Sequence, residues 1–151
     1  MLREAITERM KTALRAKDAR TLSTVRLIMA ALKDRDIAAR GTGNSEGIAE
    51  SEIQRMLQGM VKQRRESIEL YQKGNRPELA QQESEEIAVI ESFLPQQMDD
   101  AGIEVAAKAA IAESGAVGIK DMGKVMGALR ERHAGVIDLA RAGAIVKRLL
   151  G

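Results

Sequence analysis

The residues best suited to binding chemistry are the cations in the last third of the chain. From Lys120 to Arg148 the sequence holds seven basic residues against three acidic ones, whereas residues 96–119 are net negative. Such a cluster can neutralise phosphates, which supplies affinity for a nucleic-acid backbone but reads little of its sequence. A solvated helix surface explains the same charges equally well, so charge alone leaves both interpretations open.

Two glycines lie within this basic segment at a spacing of four residues. Gly123 and Gly127 therefore share one face of a predicted helix, although each costs about 1 kcal/mol relative to alanine in a helix interior. A face without side chains allows close approach of a neighbouring helix or of an external partner. Packing against neighbouring helices is the favoured interpretation, and a docking face that includes Met126 is the alternative.

The segment that contains these glycines also resembles a phosphate-binding loop. Residues 118–125 match the loop pattern up to the final position, which is Val125. That position needs a Ser or Thr hydroxyl to hold magnesium, and the residues before Gly118 do not form a buried strand. A helix beginning near Gly118 or Asp121 is the simpler explanation, so no nucleotide or cofactor site is predicted.

A second basic cluster occurs in the middle of the chain, at residues 62–66. Glu66 and Glu69 follow one turn later and could pair with Lys62 and Arg65 on the helix surface. An ion-paired helix surface is therefore favoured here, with a nucleic-acid contact as the alternative.

The composition excludes several classes of chemistry. The chain has no cysteine, and His133 is its only histidine, which removes thiolate catalysis, multi-histidine metal sites and cysteine-ligated metals. Tyr71 and Phe93 are the only aromatic residues, so a base-stacking platform is not expected. Glu83 and Glu86 on an acidic helix need no catalytic explanation. No catalytic residue, cofactor or metal site is predicted.

The elements that must position the basic residues are predicted to be helices throughout. Apolar residues recur every three or four positions, and no run alternates as a half-buried strand would. We therefore expect an all-α protein, with a four-helix bundle at residues 1–95 and a small three-helix domain at 96–151. The boundary follows from Pro95, because the residue before a proline disfavours the helical conformation.

Local signals predict where several helices begin and end. Asp18 is expected to cap the second helix, and Pro77 to occupy the first turn of the fourth. Ser51 is expected to open the third through a capping box, with a start one or two residues earlier as the alternative. The third helix should end at Gly74–Asn75. The first helix is expected to bury one stripe, formed by Leu2, Ile6, Met10 and Leu14.

No segment reaches the roughly 18 consecutive apolar residues of a membrane span, and the N-terminus lacks the apolar run of a secretory signal. The absence of cysteine fits a reducing compartment. The expectation is a cytoplasmic protein without a membrane association.

Four motifs, in this order along the chain, resemble those of the GatB/YqeY family, and specifically of its free-standing YqeY-like members. They are Arg26–Lys33, Lys62–Ser67, Glu91–Pro95 and, most specific, Asp121–Met126. The resemblance covers essentially the whole chain. It implies two helical domains, the second similar to the tail of the B subunit of the glutamine-dependent amidotransferase that acts on misacylated Glu-tRNA or Asp-tRNA.

The resemblance implies a role in holding tRNA and not in catalysis, because the larger catalytic domain of that subunit is absent. The family label, carbon–nitrogen ligase with glutamine as amido donor, is inherited by association. The predicted nucleic-acid contacts are Lys120, Lys124, Arg130, Arg132 and Lys147, and Val136 stands where many relatives carry a basic residue. The expected function is a non-catalytic tRNA-interacting accessory protein. The alternatives are a docking module for an amidotransferase or aminoacyl-tRNA synthetase and a component of the ligase activity.

Overall fold

The computed structural model describes all 151 residues and contains seven α-helices and no β-strand, which confirms the all-α fold class. A short 3₁₀ turn, Ile119–Asp121, precedes the sixth helix. The helices are α1 (Leu2–Ala16), α2 (Ala19–Gly41), α3 (Glu50–Lys73), α4 (Pro77–Glu91), α5 (Asp100–Ser114), α6 (Met122–Arg132) and α7 (Leu139–Leu150).

The contacts between residues group the chain into two compact units. The N-terminal unit, Met1–Leu94, contains α1–α4, and the C-terminal unit, Pro95–Gly151, contains α5–α7. Each unit has its own apolar core, so each is described separately below.

The core of the N-terminal unit is built from aliphatic side chains of all four helices, among them Ile6, Ile28, Leu57 and Ile90. The predicted stripe on α1 is wrong at its last position, since Leu14 is 56% exposed and Ala13 is buried instead. A helix turns about 100° per residue, so Ala13 returns to within about 20° of Ile6 whereas Leu14 is displaced by about 80°.

Local sequence signals set most of the helix ends in this unit. The Asp18 carboxylate accepts a hydrogen bond from the Thr21 backbone N–H, Asn75 adopts the left-handed conformation with φ 55°, and Pro77 opens α4. These three predictions are confirmed. The capping box predicted at Ser51 does not form, and α3 begins at Glu50 with Ala49 as its N-terminal cap, in agreement with the alternative of an earlier start.

The loop between α2 and α3 is held in place by side chains of α1 and α2. Arg3 donates to both carboxylate oxygens of Asp36, at 2.7 and 2.8 Å, and also to the Ile48 carbonyl oxygen at 3.0 Å. The Ile48 backbone N–H donates to Asp36 Oδ1 at 2.9 Å. This bridge fixes Ile48 in the core, so α3 can begin without a side-chain cap.

The C-terminal unit packs three helices around small side chains. Val125 and Leu129 of α6 are fully buried, as are Ala107 of α5 and Ala142 of α7. Small residues let the helix axes approach closely, which suits a unit with no aromatic side chain. Asp138 accepts from the backbone N–H groups of Ala140 and Arg141 and so caps α7.

No helix in either unit is both long enough and apolar enough to cross a membrane.

Candidate nucleic-acid interface

The orientation of α6 decides which of its side chains a ligand can reach. Val125 and Leu129 face the core of the C-terminal unit, and Met126 packs partly against it. The opposite side of the helix is open, with Lys124 and Arg130 exposed to solvent.

Gly123 and Gly127 lie on the open side of α6. A Cβ atom added at either position would meet nothing within 4 Å. The two glycines therefore contact no neighbouring helix, in contrast to the favoured interpretation of the sequence. What they leave accessible is the helix surface itself, over a length of about one turn.

The seven basic residues between Lys120 and Arg148 divide into two groups. Three arginines form ion pairs with acidic residues of α5: Arg132 with Glu113, Arg141 with Asp100, and Arg148 with Glu104. The net-negative segment thus neutralises part of the basic one. The remaining four form no ion pair and donate no side-chain hydrogen bond, and we call them the unpaired cations: Lys120, Lys124, Arg130 and Lys147.

Helix geometry places two of the unpaired cations beside a glycine. Lys124 and Arg130 lie three residues before and three residues after Gly127, and side chains at this spacing are surface neighbours. Lys120 stands in the 3₁₀ turn before α6, and Lys147 lies in the last turn of α7. Lys124 and Arg130 therefore lie on either side of Gly127, about 120° apart around α6, and the exposed Glu131 lies one turn after Gly127. Lys120 and Lys147 lie on adjoining elements.

Glu104 of α5 is held in its charged form by the cations around it. The Lys108 ammonium, which hydrogen-bonds Glu104, and the nearby charges of Lys108 and Arg148 keep the pKa of Glu104 below its ordinary value.

Because Arg132 and Glu113 are about half exposed, their ion pair contributes little to stability. Arg132 could exchange this partner for a phosphate at small cost.

The loop before α6 carries exposed apolar side chains that were not among the residues predicted to matter. Val117 is 83% exposed and Ile119 is 50% exposed. Asp121 holds the loop closed by accepting a hydrogen bond from the Val117 backbone N–H at 3.1 Å. The accessible surface at the start of α6 therefore includes two apolar side chains next to Lys120.

The second basic cluster, at residues 62–66 of α3, is largely engaged within the N-terminal unit. Arg64 pairs with Glu86 at 2.9 Å, and Arg65 pairs with Glu91 at 3.0 Å, both on α4. An ion-paired surface is present, but these two pairs link α3 to α4 and involve neither Glu66 nor Glu69, the partners that the sequence suggested. Sequence reasoning missed the burial of Glu86, which is 7% exposed, because its partner comes from another helix.

The titratable residues provide no metal-binding arrangement. No group of three or more His, Cys, Asp and Glu side chains in the chain could hold a metal ion. His133 follows the last residue of α6 and caps it through its backbone N–H, which donates to the Leu129 carbonyl oxygen. Its position is the predicted helix C-terminus.

Comparison with known proteins agrees with the motifs described above. A family model described as Yqey-like protein matches residues 3–150. The chain therefore belongs to the YqeY family. It is also 30% identical over 99 residues to the altered inheritance of mitochondria protein 41, mitochondrial, of Lachancea thermotolerans. That match covers 66% of this chain and 51% of the relative, so the chain matches about half the length of that protein.

Proposed function

We propose that this YqeY-family chain is a non-catalytic tRNA-interacting accessory protein whose C-terminal unit contacts the RNA backbone. The observation that carries the proposal is the open side of α6, where Lys124 and Arg130 flank Gly127 without ion-pair partners. Lysine and arginine side chains bind phosphates by charge, and affinity of this kind requires no base readout.

The two exposed glycines favour a ligand that approaches the helix closely. A phosphate-bearing strand can lie along Gly123 and Gly127, where no side chain keeps it from the helix surface. Arg132 joins the contacts once it leaves Glu113, and Lys120 and Lys147 extend them at the edges. The choice of tRNA rests on the resemblance that the sequence motifs suggested between this unit and the tail of the tRNA-dependent amidotransferase B subunit, and not on the geometry of the unit.

The experiment is a salt titration of tRNA binding by the full chain and two charge-matched double variants. The first variant, Lys124→Ala with Arg130→Ala, removes two unpaired cations. The control, Arg141→Ala with Arg148→Ala, removes two cations that already pair with acidic residues of α5. Each lost phosphate contact lowers the slope of log K against log salt by about 0.7 to 0.9.

We expect the first variant to lower the slope by about 1.4 to 1.8 and the control to change it by less than half of that. Equal slopes for the wild-type chain and the first variant would reject the α6 surface as the RNA contact. Equal losses in the two variants would indicate a response to net charge alone.

A second candidate function is a docking module for an amidotransferase or an aminoacyl-tRNA synthetase. The exposed side chains of Val117 and Ile119, in the segment just before α6, favour it. An apolar contact of this kind predicts a complex that survives both nuclease treatment and high salt. Replacement of Val117 and Ile119 by Ser should then weaken the complex while leaving the salt dependence of RNA binding unchanged.

The proposal assigns no chemical step to this chain. Incubation of the purified protein with glutamine, ATP and misacylated tRNA should therefore yield no amidated product. Product formation would favour the carbon–nitrogen ligase alternative.

The cytoplasmic location belongs to the proposal as well, and cell fractionation tests it against the mitochondrial location in the name of the relative.

A further inference from the structure

The N-terminal unit contains a cleft between α1 and α2 that the proposed function does not use. Its volume is about 300 Å³, at the lower end of the range for small-molecule sites. Ile6 and Leu32 form its buried floor, and Met29 and Ile37 provide apolar walls. The cleft also has a charged rim.

The rim of the cleft carries an excess of positive charge. Its one acidic residue, Asp36, is fully engaged by Arg3 and by the Ile48 backbone N–H. The bidentate hydrogen bond from Arg3 lowers the pKa of Asp36 to about 2, so the carboxylate stays charged and occupied at neutral pH. Lys33 and Arg40, the other charged residues of the rim, form no ion pair within 4.0 Å and no side-chain hydrogen bond, although the charge of Arg40 also helps to lower the pKa of Asp36.

An exposed apolar side chain lies between these two cations. Ile37 follows Lys33 by four residues and precedes Arg40 by three, so the three side chains share one stripe of α2. Ile37 is 53% exposed although it borders the cleft. A ligand that covers Ile37 would remove apolar surface from water, and an anionic group at its end would lie near Lys33 or Arg40.

We infer that this cleft binds an amphipathic anion, an unbranched aliphatic chain that ends in a carboxylate or a phosphate. The chain lies along Met29 and Ile37, and its anionic group pairs with Lys33 or Arg40 at the rim. The absence of aromatic side chains from the cleft disfavours a nucleobase. The inference is independent of the α6 surface and goes beyond the proposed role with tRNA.

The experiment is an NMR titration of the full chain, labelled at methionine and isoleucine methyl groups, with decanoate and with decyl phosphate. Saturable shifts are expected at Met29 and Ile37, and Met126 in the C-terminal unit serves as the unaffected reference. Shortening the chain from decanoate to octanoate should weaken binding by up to about 15-fold, if both methylenes are buried. Comparison of the two headgroups decides between a carboxylate and a phosphate ligand.

Charge-matched variants separate the rim from the net charge of the protein. Lys33→Gln with Arg40→Gln should weaken decanoate binding about tenfold or more. Arg15→Gln with Lys73→Gln, two exposed cations outside the cleft, should change it less than twofold. Both double variants should keep the melting temperature of the wild-type chain, since none of the four residues is buried.

Three results would overturn the inference. They are the absence of saturable shifts at Met29 and Ile37, equal losses in the two double variants, and equally tight binding of decyltrimethylammonium. An acidic peptide that shifts the same methyl groups when decanoate does not would identify the cleft as a protein-binding site and would also reject the inference.

Discussion

Arg64 of α3 and Glu86 of α4 form an ion pair with Nε and Oε2 2.9 Å apart, and their side chains are only 13% and 9% exposed. The same guanidinium donates to the Met60 carbonyl oxygen at 3.2 Å. The other carboxylate oxygen of Glu86 lies 4.0 Å from Arg20 on α2. Three helices of the N-terminal unit therefore meet at one buried carboxylate.

Removal of one partner from this pair should destabilise the protein strongly. Glu86→Ala removes the closer carboxylate from the nearly buried Arg64 and leaves only Glu83, at 4.0 Å, as a counter-charge. We expect a loss of about 3 kcal/mol in the free energy of unfolding. Glu85→Ala is the control, because Glu85 is 46% exposed where it pairs with Arg20, and such pairs contribute about 0–1 kcal/mol. Urea unfolding measures both. Similar losses for the two variants would contradict the burial of Glu86.

The pKa of Asp36 predicts one component of acid unfolding. The Arg3 guanidinium lowers this pKa from 3.8 to about 2, so the folded state binds the proton less readily than the unfolded state. The stabilisation is complete above pH 3.8 and is lost as the pH falls through 2. Asp36→Asn should therefore be about 1–2 kcal/mol less stable at pH 7, after allowance for partial exposure. Urea unfolding should be measured at pH 7, 4 and 2.5, values that span the range between the two pKa values. The difference in stability between the wild-type chain and the variant should shrink as the pH falls.

The pKa of Glu83 predicts a pH dependence of opposite sign. Burial, and then the charge of Glu86, raise this pKa above its ordinary value of 4.5. The folded state therefore holds the proton more firmly, and stability falls as the pH rises through the raised pKa. Glu83→Gln cannot ionise and should be more stable than the wild-type chain at pH 7. Thermal unfolding should show the advantage disappearing below pH 4.5. A Gln variant that is less stable at pH 7 would show that the pair with Arg64 outweighs burial.

Two glycines of the C-terminal unit have equal space for a Cβ atom, but their replacement by alanine should change stability in opposite directions. Gly127 is helical and an added Cβ would meet nothing within 4 Å, so Gly127→Ala should stabilise the unit by about 0.4–1 kcal/mol. Gly115 has equally open space but a φ of +70° at the end of α5. Gly115→Ala should therefore destabilise, by about 1 kcal/mol. Thermal unfolding of the full chain measures both, and a destabilising Gly127→Ala would show that this helix face is packed.

Short-range rules predicted the features that depend on neighbouring residues. Asp18, Asn75 and Pro77 each act within one helical turn, and the structure confirms all three. The stripe on α1 failed at Leu14 because a spacing of four residues drifts around the helix by about 40° at each step. A rotation of about 100° per residue, applied to the sequence alone, would therefore have placed Ala13 and not Leu14 at the core.

Features that depend on distant residues could not be predicted in this way. The start of α3 is set by Asp36, which holds Ile48 from twelve residues away, and not by the hydroxyl of Ser51. The pairing of Arg132 with Glu113 likewise joins two helices. The basic character of the α6 surface follows from the sequence, but which cations have partners, and that Gly127 is open, depend on the tertiary structure.

The bridge between Arg3 and Asp36 leaves no room for a side chain at position 47. Gly47 has a φ of +97°, and a Cβ there would come within 2.6 Å of the Arg3 guanidinium and 2.9 Å of the Asp36 carboxylate. Any residue with a Cβ atom at position 47 would have to adopt this positive φ and displace the ends of the Arg3 and Asp36 side chains, so an outwardly ordinary position in the second interhelical loop strongly favours glycine.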